Sequence, residues 1–272
     1  MRFDPGKRSS AILYDYVLEC YGDPVEKTVE ALDRIKGGKV LIATGFPVKP
    51  NVLENDGPIG SIVLSEALKR RGFSPVIGIY RGWIEPLIRV AEAVNLKIDV
   101  TELQLLDNAK DRDRVSAVFF VELPCSNIKG VRHNMRGEDI SAQTINVESL
   151  LSYPFTVGIG DGGNEVGMGK IEEIVRRSVK YGEVCQCDCK GGIAACGPTT
   201  ILIPSGTSNW GCYALAAALG YVHSEENEMK MLKAAAENGF VDGVTKKPSL
   251  SVDELSIETE AEFLRALRKI FR

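Results

Sequence analysis

With 272 residues, 44% of them hydrophobic and 26% charged, the chain has the make-up of a globular protein able to bury a sizeable core. Its net charge of −4, with both signs interspersed, lacks the basic footprint that nucleic-acid binding relies on. No apolar run reaches the ~18–20 residues of a membrane helix, and the N-terminal M-R-F-D-P-G-K-R-S-S has no signal-peptide core, so a soluble, cytoplasmic protein without membrane or nucleic-acid partners is expected.

In chain order, residues 9–21 place Ile12, Leu13, Tyr16, Val17 and Cys20 at helical spacing. A second helix opens at Asp23–Pro24 and stops at Gly37–Gly38. K-V-L-I-A-T-G-F then reads as a buried parallel strand halted by glycine. The pattern repeats: a helix from Gly57–Pro58 to Gly72, a strand P-V-I-G-I-Y, a helix over 84–95, strands L-K-I-D-V and 115–121, and a helix near 141–151. F-T-V-G-I, a glycine-rich loop and a helix through about 181 follow, then strands near 184–189 and 198–204 and helices near 208–219, 225–238 and the C-terminus. Such alternation predicts one domain over 1–272, an α/β fold of three α/β/α layers around a mostly parallel, Rossmann-like sheet. The stretch 243–253 reads as a surface crossing.

Cys185, Cys187 and Cys189 in V-C-Q-C-D-C-K recur at period two, which on a strand puts three thiols on one face. Their spacing fits structural zinc poorly, so free thiols without zinc are expected.

Ligands of open parallel sheets bind beyond the C-terminal strand ends, which directs attention to four loops. Residues 44–60 carry Glu54, Asn55 and Asp56, the last also a candidate helix cap. Residues 121–139 bring Glu122, Arg132, His133, Asn134 and Arg136 together, and 205–211 offer S-G-T-S-N-W-G. The richest is V-G-I-G-D-G-G-N-E-V-G-M-G-K, residues 157–170. Gly158, Gly160 and Gly163 match a dinucleotide fingerprint, but Asp161 stands where a pyrophosphate would lie, so neither nicotinamide nor flavin is expected. Asp161, Asn164 and Glu165 suit a hard cation such as magnesium or manganese, or an ammonium group. A helix beginning near Asn164 would add anion-binding N–H groups. Gly160, Gly162 and Gly163 would let the chain turn tightly around a small ligand.

The ordered blocks T-G-F (44–46), D-G-P-I-G (56–60), N-M-R-G-E-D (134–139), G-D-G-G-N-E-V-G-M-G (160–169), S-N-W-G (208–211) and V-D-G-V-T (241–245) resemble the D-glutamate cyclase family over nearly the whole chain. Two blocks depart from its pattern: E-R-P-G is Glu122, Leu123, Pro124, Cys125 here, and a paired tyrosine is Arg132–His133. The resemblance implies cyclisation of D-glutamate to 5-oxo-D-proline and water, the amine attacking the side-chain carboxyl. On that reading Asp161, Glu165 and Glu122 are the candidate catalytic carboxylates, with Asp161 and Glu165 the alternative metal ligands. Asn134 and Arg136 are candidates for the α-carboxylate, and Asn209 and the glycine-loop amides for the oxyanion. Asp56, Gly160, Gly162, Gly163, Asn164 and Asp242 complete the candidate small-molecule site. A homo-oligomer is compatible with this reading. The alternatives are a metal-dependent enzyme on a phosphorylated or nucleotide substrate, and a non-catalytic ligand-binding domain.

Overall fold

A computed structural model describes residues 10–107 and 114–271. Six parallel strands form its central sheet: β1 (Gly38–Thr44), β4 (Phe73–Ile79), β5 (Val100–Glu102), β6 (Val115–Val121), β7 (Thr156–Gly160) and β8 (Ile201–Pro204). Two short hairpins lie outside it, β2 (Pro47–Lys49) with β3 (Val52–Leu53), and β9 (Ser251–Val252) with β10 (Leu255–Ser256). The helices are α1 (Ser10–Tyr21), α2 (Pro24–Ile35), α3 (Pro58–Arg70), α4 (Ile84–Glu92), α5 (Glu172–Ser178), α6 (Ser208–Ala218), α7 (Glu225–Glu237) and α8 (Ile257–Ile270).

Alternate residues of each strand feed two cores. Val40, Ile42, Ile77, Phe119, Val121 and Ile159 pack with α3, α4, α6, α7 and α8 on one face. Leu41, Ala43, Val118, Phe120 and Leu202 pack with α1, α5 and the glycine-rich loop on the other. The fold is thus the expected three-layer α/β/α arrangement.

Across the sheet the order is β5-β4-β1-β6-β7-β8. The chain winds outward from β1 to β5, returns to the other side of β1, and winds outward again to β8. The reversal lies between β1 and β6, which pair through Thr44 and Val121 at their C-terminal ends. In an open α/β sheet that is where a ligand crevice forms.

Four sequence expectations need correction. Residues 184–189 form turns and bends, because left-handed Lys190 and Gly192, with φ of 52° and 76°, curl the segment. The helix foreseen near 141–151 is two short 3₁₀ turns, 141–143 and 148–152. No helix begins near Asn164: α5 starts only at Glu172, since Gly163 and Gly167 take φ of 105° and 106°. The stretch 243–253 is not a plain crossing either, because Val252 in its hairpin is fully buried. Among the described residues, no helix is long and apolar enough to cross a membrane.

Candidate active site

Two helix N-termini meet at the switch point, and each is capped by the other's loop. Asp56 does not cap its own helix α3, whose N-cap is Gly57. Its Oδ2 accepts from Ser208 N at 2.8 Å and its Oδ1 from Asn209 N at 2.7 Å, at the start of α6. In return Asn209 Oδ1 accepts from Gly57 N at 2.9 Å and Gly60 N at 2.7 Å, at the start of α3. Glycine is needed for this approach. A Cβ on Gly60 would lie 2.8 Å from Asn209 Oδ1, and one on Gly57, at φ 89°, would lie 2.5 Å from the Glu122 side chain.

Glu122 follows β6 directly. It is buried, its backbone is left-handed at φ 43°, and Ser208 Oγ donates to its Oε2 at 2.6 Å. Burial, and then the charges of Glu165, Asp161, Glu54 and Asp56, push its pKa well above the usual carboxylate range. Glu54 is raised in the same direction by burial and by Asp253, Asp56, Glu165 and Asp242. Side-chain oxygens of Asp56, Glu122 and Asp161 lie within 4.8 Å of one another, and of these three residues only Asp161 is partly exposed.

The glycine-rich loop is wrapped around Glu165. Its Oε1 accepts from Gly162 N at 2.7 Å and its Oε2 from Gly163 N at 2.7 Å. Burial raises this carboxyl, and those amides only partly offset it. The loop amides foreseen for an oxyanion are therefore occupied within the chain. Asp161 groups with Asp56 and Glu122, whereas Glu165 is committed to the loop. The glycines make room for protein atoms: a Cβ on Gly162 would meet Met135 Sδ at 2.6 Å, on Gly163 Val175 Cγ1 at 2.5 Å, and on Gly160 Met168 Cε at 3.0 Å.

Other foreseen binding residues hold the scaffold. Asn164 Nδ2 donates to the His133 carbonyl at 2.7 Å. Asn134 Oδ1 accepts from Arg136 N and Glu138 N, closing its own turn. Asn209 is spent as a cap. Asp242 is fully buried and knots the following loop, accepting from Val244 N, Thr245 N, Ser251 Oγ and Glu254 N. Burial alone would raise its carboxyl, but these hydrogen bonds hold it below the usual range. Arg136 stays exposed. It belongs to a cationic rim: partial burial, then the positive fields of Arg136 and Lys49, lower the pKa of half-buried Lys246, while Glu138 and Glu54 oppose the shift.

Ser208, Lys246 and Lys49 were not singled out from sequence, and Glu54 was named in its loop without a role. Glu54 had a signal in E-N-D, two positions before Asp56, and Lys246 directly follows the V-D-G-V-T block. A cavity of about 750 Å³ opens beside the cluster at the end of β4, lined by Leu53, Tyr80, Trp83, Gln104, Gln143 and Asn238 among others. No member of the acid cluster lines it.

The geometry is an acid floor between two helix starts, with Lys246, Arg136 and Lys49 grouped within range of Glu54. The family model described as D-glutamate cyclase-like, C-terminal, matches residues 3–268. The chain is also 30% identical over 218 residues to the mitochondrial D-glutamate cyclase of Homo sapiens, an alignment covering 68% of this chain and 33% of that relative. It thus spans about a third of the relative's length. Fold, ordered blocks and family match agree, and the chain belongs to the D-glutamate cyclase-like C-terminal family.

Proposed function

We propose that this chain is a D-glutamate cyclase-like enzyme, closing D-glutamate to 5-oxo-D-proline with loss of water. The observation that carries the reading is the convergence of Asp56, Glu122 and Asp161 at the sheet's switch point, in a chain of this family. Such a floor attracts an ammonium group, and the rim of Arg136, Lys246 and Lys49 suits the carboxylates of the same molecule.

Asp161, the partly exposed carboxylate, binds the ammonium and takes its proton, freeing the amine to attack the side-chain carboxyl carbon. Glu122, held protonated by burial and its neighbours, donates to the departing oxygen. Two protons leave the nitrogen and two reach the departing oxygen: Asp161 takes the first from the ammonium and Glu122 gives the first to the oxygen. After attack the ionised Glu122 relays the second N–H proton to the same oxygen, which leaves as water, and the proton on Asp161 returns to Glu122. Holding the chain folded back on itself supplies much of the acceleration. Asp56 and Asn209 fix the floor without touching the substrate.

The observation favouring a second reading is the same oxygen spacing, which fits a divalent cation. Asp56, Glu122 and Asp161 would hold it, and a bound cation would polarise the carboxyl under attack.

Asp161→Asn is the test variant, because Glu165 organises the loop and its loss would confuse folding with function. With D-glutamate as substrate, formation of 5-oxo-D-proline should fall about 100-fold or more while the melting temperature stays near wild type. Wild-type protein that turns over no D-glutamate, with or without manganese, would overturn the cyclase reading. A melting-temperature rise with D-glutamate in that case would support the ligand-binding alternative.

A further inference from the structure

The cysteine segment does not behave as a core strand. Cys185 Sγ lies 3.4 Å from Cys187 Sγ and 3.3 Å from Cys189 Sγ. His133, far upstream in the loop after β6, places its Nε2 at 3.2 Å from Cys187 Sγ and 3.5 Å from Cys189 Sγ. All four ligand atoms lie within 4.8 Å of one another. With zinc–sulfur bonds of ~2.3 Å and zinc–nitrogen bonds of ~2.0–2.1 Å, tetrahedral geometry sets neighbouring ligand atoms about 3.4–3.8 Å apart. The four groups already stand close to that spacing.

We propose that His133, Cys185, Cys187 and Cys189 form a closed, four-coordinate zinc site that fastens the loops over the acid floor. Three thiolates and an imidazole leave no open position, the mark of a structural rather than a catalytic zinc. Donors around the cluster suit thiolates: Gly191 N and Asn127 Nδ2 point at Cys189 Sγ from 3.4 and 3.5 Å. The other two faces tie the cluster to the candidate active site. Gln186 N and Cys187 N donate to the Gly137 carbonyl in the N-M-R-G-E-D loop. The His133 carbonyl holds Asn164, and Ala195 N holds the Gly163 carbonyl, both in the glycine-rich loop. A metal here would therefore join two segments distant in sequence, both of them next to residues that hydrogen-bond the glycine-rich loop. The site is separate from the carboxylates and does not depend on the cyclase reading.

Spacing alone misses it because C-x-C-x-C supplies three ligands from one bent segment, and the fourth is 54 positions from Cys187. The test is elemental analysis of the untagged full-length chain, purified under reducing conditions and dialysed against a weak chelator. About one zinc per chain is expected, released when the thiols are blocked with an organomercurial. Cys187→Ser and His133→Asn should each lower the zinc content, whereas Asp161→Asn should retain it. Should the ligand variants fail to fold, cobalt substituted into wild-type protein reads the site directly through thiolate-to-cobalt charge transfer and tetrahedral ligand-field bands. Absence of zinc after reconstitution with zinc salt, absence of the thiolate band with cobalt, or a disulfide among these cysteines in freshly reduced protein would overturn the proposal.

Discussion

Glu122 carries two costs at once: a left-handed backbone at φ 43° and a carboxyl buried among other carboxylates. A non-glycine residue in that region costs roughly 1 kcal/mol and survives only where its surroundings over-determine it. Here the surroundings are Ser208 Oγ on one oxygen and Gly57 against its Cβ. The raised pKa makes a signed prediction. Its carboxyl is protonated in the fold above the pH near 4.5 at which an unperturbed Glu ionises. The stability it contributes is complete below that pH and is lost as pH rises through the folded pKa. Glu122→Gln keeps the shape without the titration. Melting curves across the neutral range should therefore show the variant gaining on wild type as pH rises, with little difference in acid. A constant offset at all pH values would mean that Glu122 is not held protonated. Such a role was partly legible: Glu122 stood out for closing a strand before a long loop. Its pKa was not, because four of the charges that set it, from Glu54, Asp56, Asp161 and Glu165, come from other loops.

At the scale of elements, α3 and α6 are built as one unit, each capping the other. An exposed N-cap is worth ~1 kcal/mol. Asp56 satisfies buried N–H groups of Ser208 and Asn209, so Asp56→Ala should cost about 2–4 kcal/mol. Asn209→Ala should cost a similar amount. The two should not add, because Gly57 N donates to both Asp56 Oδ1, at 3.1 Å, and Asn209 Oδ1, and the two residues hold the same pair of helix starts. Chemical denaturation of the single and double variants reads this, and strict additivity would argue against a shared cap. The sequence did show that S-N-W-G and D-G-P-I-G opened helices. It also allowed Asp56 to cap, but assigned it to α3. Local pattern names the nearest helix, and only the sheet order brings α6 against the loop after β1. The same limit explains the thiols. Period two is a strand signal, yet Lys190 and Gly192 adopt left-handed backbone that breaks it, and His133 arrives from another loop.

For the whole molecule, alternation of apolar runs and amphipathic helices sufficed to reach a three-layer parallel fold, because buried parallel strands such as V-L-I-A and A-V-F-F-V look like little else. Shorter elements escaped it. The hairpins β2–β3 and β9–β10 rest on strands of three residues or fewer, too brief for a period to register. The four loops also gather at the C-terminal ends of the strands as expected, but which side chains meet there depends on contacts between loops distant in sequence. Asn164, Asn209 and Asp242 turned inward to satisfy backbone groups, as buried polar groups must, while Asn134 closed its own turn at the surface.

The acid floor also has a bearing on heat and buffer. Glu54 and Glu122 each have a pKa raised well above the usual range, first by burial and then by neighbouring carboxylates, so the resting site stores protons. A cation arriving among them favours their ionised forms and sends protons into solution. Titration calorimetry with D-glutamate, or with manganese, should then give binding enthalpies that differ between phosphate and Tris at one pH, by an amount set by each buffer's own heat of ionisation. Identical enthalpies in the two buffers would mean that the carboxylates neither share nor release protons when the site fills.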